Sequence, residues 1–87
     1  MKKFVYMVDY QYEYGSDQME CDDIKDLTTQ LRYLAKDKAV VENVKLVENE
    51  YRWNEEEISF SLAQQVIKIL GYKPKYMRSR NKKSKNK

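Results

Sequence analysis

Polar and apolar residues alternate along the first part of the chain, which is the pattern of a β-strand with two different faces. From residue 3 to residue 14, one face carries Phe4, Tyr6, Val8, Tyr10, Tyr12 and Tyr14, and the other carries Val5, Met7, Asp9, Gln11 and Glu13. We predict that the first face packs in the core at Phe4, Tyr6 and Val8, because amphipathic helices need an apolar partner. Tyr12 and Tyr14 approach a turn and are equally suited to exposure.

The residues after this strand predict a hairpin followed by a helix. Residues 15–17 (Gly-Ser-Asp) are typical of a turn, and residues 18–21 are predicted to pair back as the second arm of the hairpin. A helix is then predicted over residues 22–37, with Asp22 or Asp23 as its N-cap. Its apolar positions recur at helical spacing: Ile24, Leu27, Leu31 and Leu34.

A second helix is predicted to begin at Asn54 and to end before Gly71. Asn54 supplies an N-cap side chain, and the glutamates at 55–57 place acids in the first turn, where the helix dipole favours them. Gly71 is typical of a left-handed C-terminal residue, and Pro74 prevents continuation. Alternation over residues 58–62 is typical of a strand, but these signals and the later helical spacing outweigh it.

Residues 39–53 are rich in β-branched and aromatic residues, which predicts one long strand or two short strands joined by a turn. Together the elements predict a small two-layer α+β domain with a three- or four-stranded, mainly antiparallel sheet and two amphipathic helices on one face. The domain is expected to cover residues 1–72. Residues 73–87 are predicted to be a disordered basic C-terminal tail, which should add little stability because it lacks a hydrophobic pattern.

Charge is divided unevenly along the chain. Residues 1–72 contain all 14 carboxylates and nine basic residues, which gives this part a net charge of −5. Residues 73–87 contain eight basic residues and no acid, so the whole chain has a net charge of +3. A basic tail on an acidic body favours polyanionic partners such as nucleic acid, although a tail that only aids solubility would have the same composition.

The tail supplies candidate nucleic-acid-binding residues, because aromatic rings stack on bases while Lys and Arg neutralise phosphates. They are Lys73, Lys75, Tyr76, Arg78, Arg80, Lys82, Lys83, Lys85 and Lys87. Eight Tyr and one Trp also exceed what a small core needs, and exposed Tyr, Trp and Arg are the usual anchors of protein interfaces. The candidate protein-interface residues are Tyr12, Tyr14, Tyr51, Arg52 and Trp53. Two alternatives stay open: Trp53 is more simply a core residue, and the strand tyrosines have the composition of a base-stacking platform.

Few types of enzyme are compatible with the composition. The chain has no His and only Cys21, which excludes His-based catalytic triads, Cys–His nucleophiles and Cys/His zinc sites. Its two glycines, Gly15 and Gly71, cannot build a glycine-rich phosphate loop. Carboxylates at residues 22–26 and 48–57 leave a metal-dependent enzyme as the least favoured alternative. We expect no catalytic residue, no cofactor and no metal.

Cellular context follows from similar arguments. No apolar stretch approaches the roughly 18 residues that span a bilayer, and the N-terminus lacks the apolar segment of a signal peptide. We therefore expect a cytoplasmic protein without membrane contact. Phe, Tyr, Met, Ile, Asn and Lys, which have AT-rich codons, total 36 residues, against ten for Gly, Ala, Arg and Pro. That bias favours a low-GC bacterium, or a phage or mobile element within one.

These features favour a non-catalytic interaction protein, such as a phage or mobile-element inhibitor or regulator of a host nucleoprotein machine. In this hypothesis the acidic body binds a protein and the basic tail contacts nucleic acid. The alternative is a simple nucleic-acid-binding protein, in which the strand tyrosines and the tail act without a protein partner.

Overall fold

Eight elements follow one another along residues 3–80, the part of the chain that the structure, a computed structural model, describes. In chain order they are β1 (Phe4–Tyr12), β2 (Gly15–Cys21), α1 (Ile24–Lys36), β3 (Val40–Glu48), β4 (Tyr51–Glu56), β5 (Ile58–Ser59), α2 (Phe60–Leu70) and β6 (Ser79–Arg80). One antiparallel sheet has the strand order β2-β1-β3-β4, and β5 and β6 form a short parallel pair. No helix in these residues is long and apolar enough to cross a membrane.

The predicted fold class is confirmed, since both helices pack on one face of the four-stranded sheet. Helices and sheet share one core cluster, formed by Val8, Cys21, Leu27, Leu31, Leu34, Ala39, Val41, Val44, Ile58, Leu62, Ala63, Val66 and Met77. Tyr6, Tyr10 and Tyr12 lie half-buried against this cluster, as the alternation in β1 predicts, whereas Phe4 is half-buried outside it. The segment 39–53 forms two strands joined by a turn, the second of its two predicted forms.

The opposite face of the sheet carries a smaller buried cluster that the alternation did not predict. Val5 and Met7 of β1 and Val47 of β3 are almost fully buried there. Val5 pairs directly with Val47, so the two side chains lie on the same face of the sheet. The helices cover only the other face. Other parts of the chain must therefore cover this cluster and keep it from solvent.

The predicted start of the second helix at Asn54 is wrong, because Glu55 and Glu56 extend β4 instead. Pairing with β3 satisfies their backbone groups, which a helix start would leave without partners. The alternation over residues 58–62 is typical of a strand, and a strand forms only at its first two residues, Ile58 and Ser59, which are β5. Ser59 then serves as the N-cap of α2, with its hydroxyl accepting from the Leu62 N–H at 3.2 Å.

The first helix and the end of the second match their predictions more closely. Asp23 caps α1, and its carboxylate accepts a hydrogen bond from the Asp26 N–H at 2.8 Å. Gly71 ends α2 with a left-handed backbone at a φ of 84°, which glycine adopts without strain. Ile24 departs from the predicted apolar stripe, because as the first residue of α1 it is largely exposed.

Residues 73–80, which were predicted to belong to the basic tail, lie against the body in the structure. We call residues 72–80 the C-terminal strap. Pro74 and Met77 of this strap are buried, and Met77 belongs to the main core cluster. The end of the strap is β6, which pairs with β5. The strap is therefore part of the packed structure, and residues 81–87 of the predicted tail lie outside the described residues.

Incomplete pairing of β3 explains why the strap is held at this place. β4 pairs with β3 only at residues 46–48, which leaves the first half of that edge of β3 without a strand. The Val41 N–H donates to the Tyr72 hydroxyl at 2.9 Å, and the Tyr76 N–H donates to the Glu42 carbonyl at 3.0 Å. Glu42 is the extra residue of a β-bulge opposite β1, so its carbonyl is free to accept from outside the ladder. The strap thus covers an edge that would otherwise expose backbone groups.

Met77→Ala tests the packing of the strap. Met77 is buried in the main core cluster, so we expect the substitution to lower the free energy of unfolding by about 2–5 kcal/mol. Lys75→Ala changes an exposed residue of the same strap and should alter it by less than about 0.5 kcal/mol. Chemical denaturation of both variants and the wild type measures these values. Equal stability of the three proteins would show that the strap does not contribute to the core.

Candidate nucleic-acid and protein interfaces

The C-terminal strap combines buried anchors with exposed cations. Pro74 and Met77 hold it against the body. The residues around these anchors are exposed: Lys73, Lys75, Tyr76 and Arg78. Proline fixes its own φ angle and restricts the residue before it, so the backbone that carries the first cations has a defined shape.

Lys75 and Tyr76 combine charge with an open aromatic ring. The Lys75 ammonium lies 5.2 Å from the centre of the Tyr76 ring, within the range of a cation–π interaction. The Tyr76 side chain is nevertheless 58% exposed. This pair is suited to a nucleotide, because the ring can stack on a base while the ammonium neutralises a neighbouring phosphate.

The predicted nucleic-acid-binding residues differ in how far their charges are compensated. Arg80 donates to the Glu56 carboxylate at 3.0 Å, so its charge is partly neutralised within the protein. Lys73, Lys75 and Arg78 have no ion-pair partner among residues 3–80. The remaining predicted residues lie outside the described part of the chain: Lys82, Lys83, Lys85 and Lys87. The strap itself therefore offers three uncompensated cations within residues 3–80.

A cleft of about 220 Å³ lies where the strap meets the sheet. Its lining residues are Asn43, Lys45, Glu55, Glu56, Glu57, Tyr76 and Arg78. The Lys45 ammonium is only 2.8 Å from the Glu55 carboxylate, and the three glutamates in the wall repel phosphate. We therefore expect phosphates to bind outside this cleft, at Lys73 and Lys75, which do not line it, and at the exposed side of Arg78.

Polar side chains cross the sheet in one row on the face opposite the helices. The Gln18 amide donates to Asp9 at 2.6 Å, Asp9 lies 4.0 Å from the Lys45 ammonium, and Lys45 reaches Glu55. The row takes one residue from each of the four strands, so it ties the sheet together across its width. Its charges are paired with one another, which favours a structural role over ligand binding.

Trp53 is exposed, so the interpretation of Trp53 as a core residue is wrong. Its side chain is 78% exposed, that of Tyr51 is 46% exposed, and their ring centres lie 5.1 Å apart. The cause is a break in the ladder between β3 and β4. Tyr51 and Glu55 pair with consecutive residues of β3, so residues 52–54 between them have no partner in that strand. We call residues 51–54 the aromatic bulge.

Contacts on both sides of Trp53 hold the aromatic bulge in place. Arg52 donates to the Glu20 carboxylate of β2, which lies at the opposite edge of the sheet. Asn54 donates to the Glu48 carboxylate of β3. Glu48 is buried, so the Asn54 amide satisfies a group that would be costly to leave without a partner. The bulge is therefore both exposed and fixed.

The tyrosines of β1 and Tyr14 in the turn that follows do not form one continuous stacking platform. Tyr6 and Tyr10 pack against the core, and burial raises the pKa of both hydroxyls. Tyr12 is half-buried and stacks on Tyr14, with 6.0 Å between the ring centres. Tyr14 is 85% exposed, so it offers the open ring of this group. Of the predicted platform, only this end is accessible to a base.

Cys21 lies in the core without exposed surface. Burial, together with the nearby carboxylates of Asp26, Asp22 and Asp23, raises the pKa of its thiol to about 11. The thiolate is the nucleophilic and metal-binding form of cysteine, so Cys21 is inert near neutral pH. Within residues 3–80, no group of three acidic or cysteine side chains is placed to hold a metal ion.

No family model, no curated protein and no solved structure matches this chain. Its function must therefore be inferred from its own surfaces. Two of them have opposite character: the C-terminal strap is cationic with an open ring, and the aromatic bulge lies within a run of glutamates.

Reaction of Cys21 with a thiol reagent measures the effect of burial. At pH 8, a thiol with a pKa near 11 has about 100-fold less thiolate than one at the ordinary value of 9.0, so the folded protein should react at least about 100-fold more slowly than the unfolded protein. Because the pKa is raised in the folded state, the free energy of unfolding should fall as the pH rises from about 9 to about 11. Cys21→Ala is the control, because a protein without this thiol lacks the fall in the free energy of unfolding that ionisation of Cys21 causes. A folded-state rate that levels off near pH 9 would contradict the raised pKa.

Proposed function

We propose that this protein is a non-catalytic interaction protein that contacts nucleic acid through its basic C-terminal residues and a protein through its acidic body. The observation that carries the proposal is the C-terminal strap, in which Pro74 and Met77 anchor a segment that exposes three uncompensated cations and Tyr76. Contacts of both kinds suit an inhibitor or regulator of a nucleoprotein machine. The AT-rich residue usage favours a phage or mobile element as its source.

Anchoring of the strap favours binding because it lowers the entropy that is lost when nucleic acid binds. The backbone that carries Lys73, Lys75 and Arg78 is already ordered by packing, so mainly their side chains lose freedom. Each phosphate that these residues neutralise releases counterions, which is a gain independent of base sequence. The open ring of Tyr76 favours single strands, whose bases are free to stack on it.

The acidity of the body restricts where nucleic acid binds. Residues 1–72 carry a net charge of −5, so phosphates are repelled from most of the surface outside the strap and the basic residues that follow it. The same negative charge favours a basic protein surface as the second partner. Proteins of nucleoprotein machines have such surfaces, because they bind nucleic acid themselves.

A simple nucleic-acid-binding protein is the second candidate function, and Tyr14 is the observation that favours it. The exposed ring of Tyr14, supported by Tyr12, is a surface on which a base can stack. In that case Tyr14→Ala would weaken single-strand binding as much as Tyr76→Ala does. The proposed function instead predicts a loss for Tyr76→Ala alone.

Replacing Lys73, Lys75 and Arg78 with Gln tests the strap directly. If all three residues contact phosphate, the slope of log affinity against log salt should become shallower by about 2 on single strands, since each contact contributes about 0.7. Fluorescence anisotropy of a labelled oligonucleotide over a range of salt concentrations measures the slope. Base sequence should have little influence on the loss, because phosphate contacts carry no sequence information.

The matched control replaces three exposed helix lysines, Lys25, Lys36 and Lys68, with Gln. This variant removes the same number of positive charges, but from the acidic part of the chain, residues 1–72. It should keep the wild-type slope. Equal slopes for the two triple variants would contradict the proposal, because binding would then depend on net charge and not on the strap.

A further inference from the structure

The aromatic bulge, residues 51–54, exposes a side chain that the core could have used. Trp53 is the sole tryptophan of the chain, and burying it would remove a large apolar area from water. Instead it lies exposed against Tyr51, where the ladder between β3 and β4 is interrupted. Bulges often direct a side chain toward a functional surface, and Trp and Tyr are the most common anchors of protein interfaces.

The aromatic bulge is already ordered before any partner binds. Arg52 is bound to Glu20, and Asn54 is bound to Glu48, so the residues on either side of Trp53 are fixed to other strands. The Trp53 side chain has few rotatable bonds, and the Tyr51 ring supports it. Little conformational entropy is left to lose when a group from a partner packs on the indole ring.

The chain around the bulge is strongly acidic, which selects the charge of the partner. Residues 48–57 contain five glutamates and one arginine. Among residues 3–80, only Glu55 and Glu56 of these glutamates have cationic partners, which are Lys45 and Arg80. The remaining negative charge repels the phosphates of nucleic acid and attracts a cation.

The geometry of the two basic side chains favours arginine over lysine. The Arg80 guanidinium donates to the Glu56 carboxylate at 3.0 Å, so a glutamate of this stretch already receives a guanidinium. Lys75 over Tyr76 is an example of a cation on an aromatic ring in the same chain. A guanidinium can make both contacts together, because its planar face stacks on a ring while its edge donates to carboxylates. A lysine ammonium has no planar face.

We propose that the aromatic bulge binds an arginine side chain from a basic segment of the protein partner. Trp53 stacks on the guanidinium, and a carboxylate of residues 48–57 that has no cationic partner among residues 3–80, such as the exposed Glu50, accepts its N–H groups. The identity of the partner as a nucleic-acid-binding protein rests on the proposed function, but arginine recognition is measurable without that partner. In this arrangement the bulge binds the protein component of a nucleoprotein complex and the strap binds its nucleic acid.

Two peptides test the proposal on the full chain, one of Arg-Gly-Gly repeats and one of Lys-Gly-Gly repeats with equal length and charge. Neither peptide contains an aromatic residue, so the fluorescence of Trp53 reports events at the bulge. We expect the arginine peptide to change the Trp53 emission. We also expect it to bind at least about threefold more tightly than the lysine peptide, as for a cation–π contact at an exposed site.

Variants of the bulge separate the contribution of the ring from that of net charge. Trp53→Ala should weaken binding of the arginine peptide about threefold or more and remove the preference for arginine, measured by anisotropy of a labelled peptide. Trp53→Phe keeps an aromatic face and should keep part of the preference. Tyr33→Ala is the matched control, because it removes an exposed aromatic ring from α1 and should bind like the wild type.

Three outcomes would overturn the proposal. The first is equal binding of the two peptides by the wild type, which would show attraction by charge alone. The second is equal binding of the arginine peptide by Trp53→Ala and Tyr33→Ala, which would show the same. Self-association that depends on Trp53, observed by sedimentation velocity, would make a second copy of this chain the occupant of the bulge. Failure here is distinguishable from failure of the proposed function, because Trp53→Ala should keep the oligonucleotide affinity and salt slope of the wild type.

Discussion

The incomplete pairing of β3 is the constraint on which the rest of the structure depends. β1 pairs with β3 along residues 4–11, but β4 pairs with only three residues of its other edge. An edge that is half covered leaves backbone donors and acceptors that need partners. The chain supplies them from its C-terminal strap, through the Tyr72 hydroxyl and the Tyr76 N–H, and the same contact brings Pro74 and Met77 into the interior. Closing the sheet therefore also positions the cations that we propose bind nucleic acid.

The same edge of β3 separates two surfaces of opposite charge. Where β4 pairs with β3, the ladder breaks and exposes Trp53 within a run of glutamates. Where β4 is absent, the strap places its cations at the surface. The ion pair between Arg80 and Glu56 joins the two regions. Under the proposed function, each surface repels the ligand that the other attracts, so that nucleic acid and a basic protein do not compete for the same surface.

Local patterns predicted the elements in which one signal dominates. The alternation of β1, the N-cap at Asp23 and the helix end at Gly71 all correspond to the structure. The prediction failed at Asn54, where a local cap signal competed with pairing to β3, because the partners of Glu55 and Glu56 lie eight to ten residues earlier, outside the span of a helix-cap pattern. Met77 was missed for a related reason: a single apolar residue among cations has no periodicity, and only the free edge of β3 explains its burial. For the candidate sites, residue types made Trp53 a candidate interface residue but favoured a place in the core, and its exposure depends on the bulge.

Hydrogen exchange at the Tyr76 amide tests the central claim most directly, because this N–H bonds to the Glu42 carbonyl only when the strap covers the edge of β3. Native-state exchange followed by NMR spectroscopy measures it together with the Val41 amide, which donates to the Tyr72 hydroxyl. We predict that both amides exchange as slowly as those of the ladder between β1 and β3, because strap and sheet open together in unfolding. Exchange of both amides at the rate of an unstructured peptide, with the ladder still protected, would contradict this account and show that the strap is a free tail.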